Sequence, residues 1–180
     1  AIVAYRQSTE KQQALVAEIA AARNELTRVQ TAALQAEAEV ETALAKVTTP
    51  QQRHTTALKN AQLIRAEYAD KQKLARQVSE AATAGQAALA LLPEDADLKS
   101  STGQLAELAA QLNNDLSPLT EQLKQAEAKV AEAAAVLKAA QQELAAAQEK
   151  QQQAKQLTLD ADAKLQAALQ AQQTQTALVD

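Results

Sequence analysis

The side chains that most often carry chemistry are few in this chain, and they do not cluster. His54 is the single histidine and there is no cysteine. One imidazole with neither a thiolate nor a second histidine one helical turn away cannot assemble a usual zinc site. His54 therefore reads as a surface or kink-lining residue. Nucleophilic catalysis has no foothold either, because no serine, histidine and acid fall at a triad-like spacing in a defined turn. Glu94, Asp95 and Asp97 form the one compact acidic group. They look like a fragment of a calcium loop, but the glycine and the distal glutamate that such a loop needs at fixed offsets are missing. Acids at this place cap a helix and complement its N-terminal dipole. Beyond that, Glu94, Asp95 and Asp97 are a candidate partner-docking tip. Asp160 and Asp162 read as solvated helix face, and Gly85 and Gly103 stand apart, so no glycine-rich phosphate loop is formed. Lys71, Lys73 and Arg76 make the densest basic patch, too small to neutralise a nucleic-acid backbone. The expectation is a chain with no catalytic, cofactor-binding or metal-binding residues and no enzymatic activity.

The elements that carry these residues follow from composition. Ala (46), Leu (24), Glu (15) and Lys plus Arg (18) account for 103 of 180 residues. More than half of the chain in these types, with a period near 3.5, marks a coiled coil or long helix. Each of them is a good helix former, and only two Gly and three Pro oppose them. There is no Phe, Trp or Met, and the aromatics are Tyr5 and Tyr68 alone. That rules out the large-residue core of an ordinary globule. The longest apolar run, Ala87 to Leu92, is far short of a membrane span. The opening Ala-Ile-Val-Ala predicts a processed product or a segment of a larger protein, with no signal peptide remaining.

A heptad series in alternating steps of three and four runs through Tyr5, Leu15, Ile19, Leu26, Val29, Val40 and Val47, and in the same phase through His54, Ile64, Tyr68, Lys71, Val78, Gly85, Leu89 and Leu92. It stops at Leu92-Pro93-Glu94-Asp95-Ala96-Asp97, which has the chemistry of a turn leading into a helix start. A second series begins at Leu98 and continues through Leu105, Leu112, Leu119, Leu123, Leu137, Leu144 and Leu165 to Val179. Two phases around one break predict an all-α antiparallel hairpin. Its parts are an N-terminal arm over 1–92, a turn over 93–97 and a C-terminal arm over 98–180. Each arm would extend roughly 125 Å at 1.5 Å per residue. Facing residues should sum to about 190, which pairs Gly85 with Leu105, Ile64 with Ala126, Val47 with Leu144 and Leu26 with Leu165. Lys71, on the seam, could pair with an acid across the arms or set register. Tyr5 and Tyr68 read as seam anchors.

Pro50 and Pro118 complicate this. Thr49-Pro50 and Ser117-Pro118 carry the signature of an N-cap with proline at the first helical position. Because the seam phase is unchanged across both, kinks within continuous arms are expected near 48–51 and 115–118. The alternative reverses the chain at Pro50, giving a three-helix, spectrin-like bundle of 1–48, 51–92 and 97–180.

In the second arm one seam position is alanine at every seventh residue from Ala126 to Ala168, alternating with Leu116, Leu123, Val130, Leu137 and Leu144. Small seam residues let helices approach closely, an arrangement similar to the antiparallel pairs called Alacoils. Burying an alanine methyl yields about 0.8 kcal/mol against about 1.5–3 for Leu or Val, so helix propensity carries much of the stability. Gln151, Thr158, Gln172 and Gln175 weaken the far end of the seam, where fraying is expected unless another chain or domain covers it.

The runs Ala-Glu-Ala-Lys-Val-Ala-Glu-Ala-Ala-Ala (126–135) and Gln-Gln-Glu-Leu-Ala-Ala-Ala-Gln (141–148) resemble the Ala/Gln-rich coiled coils of large planctomycetal-type bacterial envelope proteins that carry cytochrome c and WD40 domains. The resemblance implies a spacer or docking arm in a multidomain envelope protein, placed in the bacterial cell envelope or periplasm. It transfers no cofactor, because the chain has no Cys-x-x-Cys-His. Periplasmic adaptor hairpins are a second analogy, but the tip lacks their Arg-Leu-Ser pattern. The expected function is a structural and interaction element whose partners are other protein chains or domains, or further copies of itself, without nucleic acid and without a transmembrane segment. The alternative is an amphipathic coat on a lipid or granule surface, which the narrow Ala-Leu stripe and scarce aromatics disfavour.

Overall fold

The computed structural model describes the backbone of residues 2–177 and the side chains of residues 6–177. All but four of these residues lie in two helices, α1 (Ile2–Leu91) and α2 (Ala96–Ala177), with no strand among the described residues. The helices pack against each other antiparallel, as the two seam phases predict.

The turn is shorter than expected. Leu92 N–H still bonds to the Ala88 carbonyl at 3.1 Å, and Asp95 N–H bonds to the Leu92 carbonyl at 3.2 Å. This closes a four-residue turn with Pro93 at its second position, where the fixed proline φ fits. No described residue has a positive φ, which excludes the type II form and leaves type I. Asp95 then caps α2: a carboxylate oxygen accepts the Leu98 N–H at 2.9 Å. The helix therefore starts at Ala96 rather than Leu98.

Neither proline ends a helix. Pro50 lies inside α1 and Pro118 inside α2. Thr49 and Ser117 are interior helical residues and not the N-caps their dipeptides suggest. The three-helix alternative of 1–48, 51–92 and 97–180 is thereby overturned. Local dipeptide chemistry favours a helix start at each site, but the seam keeps its phase on both sides. A proline removes one intrahelical bond, whereas reversal at Pro50 would abandon every seam contact beyond it.

Two compact units are formed, one by Ala1–Thr48 with Ala139–Asp180 and the other by Thr49–Lys138. In each, burial follows the seam. From Ser8 to Leu89 in α1, and from Leu98 to Gln175 in α2, every seam position is buried or half-buried. Only Thr9, Ser79, Ala88, Ala134 and Leu169 join from outside it. Tyr5 and Val179 fall outside the described side chains. Of the 17 buried hydrophobic residues among those described, 12 are alanine. Most of the seam leucines stay half-buried, because a pair of helices has no third layer to cover the outer side of a large residue. No large side chain among those described is fully buried.

In the first unit Ile19, Leu165 and Ala168 form a buried cluster, with Ala22, Leu26 and Leu169 packed against it. This brings Leu26 and Leu165 together as expected. Lys46–Glu143 and Lys150–Glu39, each at 3.2 Å, join residue numbers that sum to 189. In the second unit Ile64 and Ala126 line one groove. Gly85, however, faces Thr102 and not Leu105: a Cβ added to it would lie 2.7 Å from Thr102 Oγ1. The expected alignment is met to within a turn, and this pair is shifted by three residues. An antiparallel seam sets the first core position of one heptad against the second of its partner, whereas a sum of 190 at this place sets like against like.

Candidate functional site

The acids at the tip have separate local roles. Asp95 is committed to capping α2. Asp97 sits in the first turn of the same helix, where the exposed N–H groups favour a negative charge. Glu94 is exposed beside them, as are Leu91, Leu92 and Pro93. Among the described residues no three His, Cys, Asp or Glu side chains are placed to hold a metal ion.

The remaining candidates are dispersed along the arms. His54 is half-buried on the seam, one turn beyond Pro50. Lys71 pairs with Glu67 of its own helix at 3.6 Å, so it does not bridge the arms. A lysine at the seam edge reaches an acid four residues back more easily than one across the interface. Tyr68 is half-buried, and its hydroxyl accepts a long 3.5 Å bond from Gln72 Nε2. Asp160 accepts a 2.9 Å bond from Gln156 Nε2, and Asp162 is exposed.

What the arms do bring together is charge along the seam's two edges. Lys46, Glu143, Lys150 and Glu39 all immediately precede the first core position of a heptad. Arg65, Glu127, Lys155 and Glu37 all immediately follow the second. An antiparallel pairing places like-named flanking positions on the same edge, so charges there select orientation. All four pairs are about half exposed or more, which limits each to about 0–1 kcal/mol. Within α1, Arg28 forks onto Glu25 through bonds of 2.8 and 2.6 Å. That side-chain hydrogen bond, helped by the guanidinium charge, holds the Glu25 carboxyl below its ordinary pKa and raises that of Arg28.

Open grooves follow the same edges. One in the first unit, of about 610 Å³, has Ala43 and Ala147 at its floor and the Lys46–Glu143 and Glu39–Lys150 pairs across it. Two in the second unit share Ala57 and Lys129, with Leu63 at one end and Val136 at the other. A small-molecule site is usually apolar and concave with a few convergent polar groups. These grooves instead have alanine floors and rims of solvated Lys, Glu and Gln.

Thr102 is absent from the apolar heptad series, which steps from Leu98 to Leu105. It is 5 % exposed, the one buried polar residue among those described, and its Oγ1 has no hydrogen-bond partner. Its spacing, four after Leu98 and three before Leu105, is the signal that places it on the seam. Comparison of the chain with protein-family models, curated proteins and solved structures finds no match.

Proposed function

We propose that this chain is a non-catalytic structural element, a coiled-coil arm that spaces domains or docks within a larger protein assembly. What supports the reading is how the chain uses its apolar surface. Burial is confined to one seam per helix, and alanine dominates it, so each arm's stabilising face is spent on the other arm. The outer faces carry mixed charge and scattered single leucines such as Leu34, Leu63 and Leu159. Scattered leucines are ordinary surface, while a coat protein would gather them into one broad apolar face. No helix among the described residues is long and apolar enough to cross a membrane. The partners this surface suits are other protein chains or domains.

Liposome flotation tests the proposal. The expected result is that no protein rises with the vesicles. Co-flotation with neutral or anionic vesicles would favour the lipid-coat alternative.

A further inference from the structure

The seam of α2 nearly repeats itself. With alanine at every seventh residue from Ala126 to Ala168, sliding α2 along α1 by one heptad returns alanine to most places that alanine left. The ion pairs at the edges are solvated and oppose such a slide only weakly. The short turn admits such a slide only by unwinding the helix ends beside it, and a seam feature that does not repeat adds to that constraint. Buried polar seam residues are a known means of fixing register at some loss of stability.

Thr102 has that character. Nine other threonines among the described residues bond back to the carbonyl four residues earlier, including Thr83 and Thr120 at 2.9 Å. Thr102 Oγ1 makes no such bond and is buried. Opposite it stands Gly85, where an added Cβ would meet Oγ1 at 2.7 Å and Cγ2 at 3.3 Å. Gly85 has no positive φ, so the backbone there would accept a residue with a Cβ such as alanine. It is the space that requires glycine. Gly103, the next residue along α2, would carry a Cβ with nothing within 4 Å of it and supplies a control.

We propose that Gly85 and Thr102 form a register key, a buried threonine seated on the one α1 seam position without a Cβ, which admits a single alignment of the arms. A slide of one heptad sets Thr102 against Val78 or Leu92, whose side chains occupy the space it needs. Because both helices are unbroken, alignment set at this pair is carried along them. The key goes beyond the spacer reading and does not depend on it.

Disulfide trapping in the full chain tests the key. Ile64→Cys with Ala126→Cys reports the native alignment, since both residues line one groove. Ile64→Cys with Ala133→Cys, or with Leu119→Cys, reports a one-heptad slide in either direction. Crosslinking of the otherwise unchanged chain should be confined to the 64/126 pair. Gly85→Ala should raise the slid products roughly tenfold, as overpacking a close contact would. It should also lower Tm, although alanine is the better helix former. Adding Thr102→Ala should restore Tm by relieving the contact while the slid products stay raised, since the key is then absent, and Gly103→Ala should raise Tm with the crosslinks unchanged. The key is overturned if Gly85→Ala melts at or above the parent with crosslinking still confined to 64/126, or if adding Thr102→Ala fails to restore Tm or returns crosslinking to the parental pattern. Should Gly85→Ala not fold, Thr102→Ala alone decides: slid products must rise, and a parental pattern refutes the proposal.

Discussion

At Asp95 one side chain joins the turn to the helix that follows. Its carboxylate accepts the Leu98 N–H while its own N–H bonds to the Leu92 carbonyl. Asp95→Ala should therefore lower stability by about 1 kcal/mol in urea unfolding, whereas neighbouring Glu94→Ala should change it little. Glu25 gives the chain its clearest pH-dependent contact. Its carboxyl titrates below its unfolded value because Arg28 donates to it. Whatever the pair adds to stability is present in full above the unfolded pKa and is lost as pH falls through the folded one, so the window lies on the acid side. Carboxyl NMR titration should place the Glu25 midpoint below the ordinary glutamate range, and Arg28→Gln should move it back up. The capping role of the acids at 94–97 is legible in their position ahead of a new apolar phase. The Lys71 partner is not. The same lysine at the seam edge can reach along its helix or across to the other, and only side-chain geometry chooses.

Along each helix, the heptad series finds nearly every buried position because alanine-rich segments offer no competing local structure. The prolines left a second reading open because hydroxyl-proline dipeptides look alike at a helix start and in a helix interior, and the unchanged seam phase favoured the continuous arms that the structure has. Pro50 has no N–H for the Lys46 carbonyl, and Pro118 has none for that of Asn114. Substituting alanine restores the bond, so Pro118→Ala, at an exposed site, should raise stability by up to about 3 kcal/mol in urea unfolding. Pro50→Ala should gain less, since the ring is half-buried on the seam. Leu119 is among the few large residues buried on the seam, at 5 % exposure. Leu119→Ala should lower stability by about 2–3 kcal/mol in the same assay, near the small end of the range for buried leucine because its surroundings are thin.

Across the molecule, the two units differ in what fills their seams. The unit of Thr49–Lys138 holds Ile64, Leu119, Leu123 and Val130, while the other ends in Gln151, Thr158, Gln172 and Gln175. Amide exchange should accordingly be fastest, after the helix ends, in α2 beyond Gln151 and slowest around Ala61–Ala75. Slow exchange beyond Gln151 would mean that alanine packing and helix propensity compensate for the polar seam. The helices, their single turn and the face each one buries are written in the composition and heptad phase, because periodic alanine and leucine leave the backbone one favourable local state. The unchanged seam phase already carried the helices through Pro50 and Pro118, whereas only the packing of the two arms settles that Lys71 stays on its own helix and that Gly85 meets Thr102. Each depends on where two helices stand relative to one another, and a seam that repeats every seven residues scores neighbouring alignments almost alike. Features that occur once, the closed turn at 92–95 and a threonine against a bare backbone, are what can tell those alignments apart.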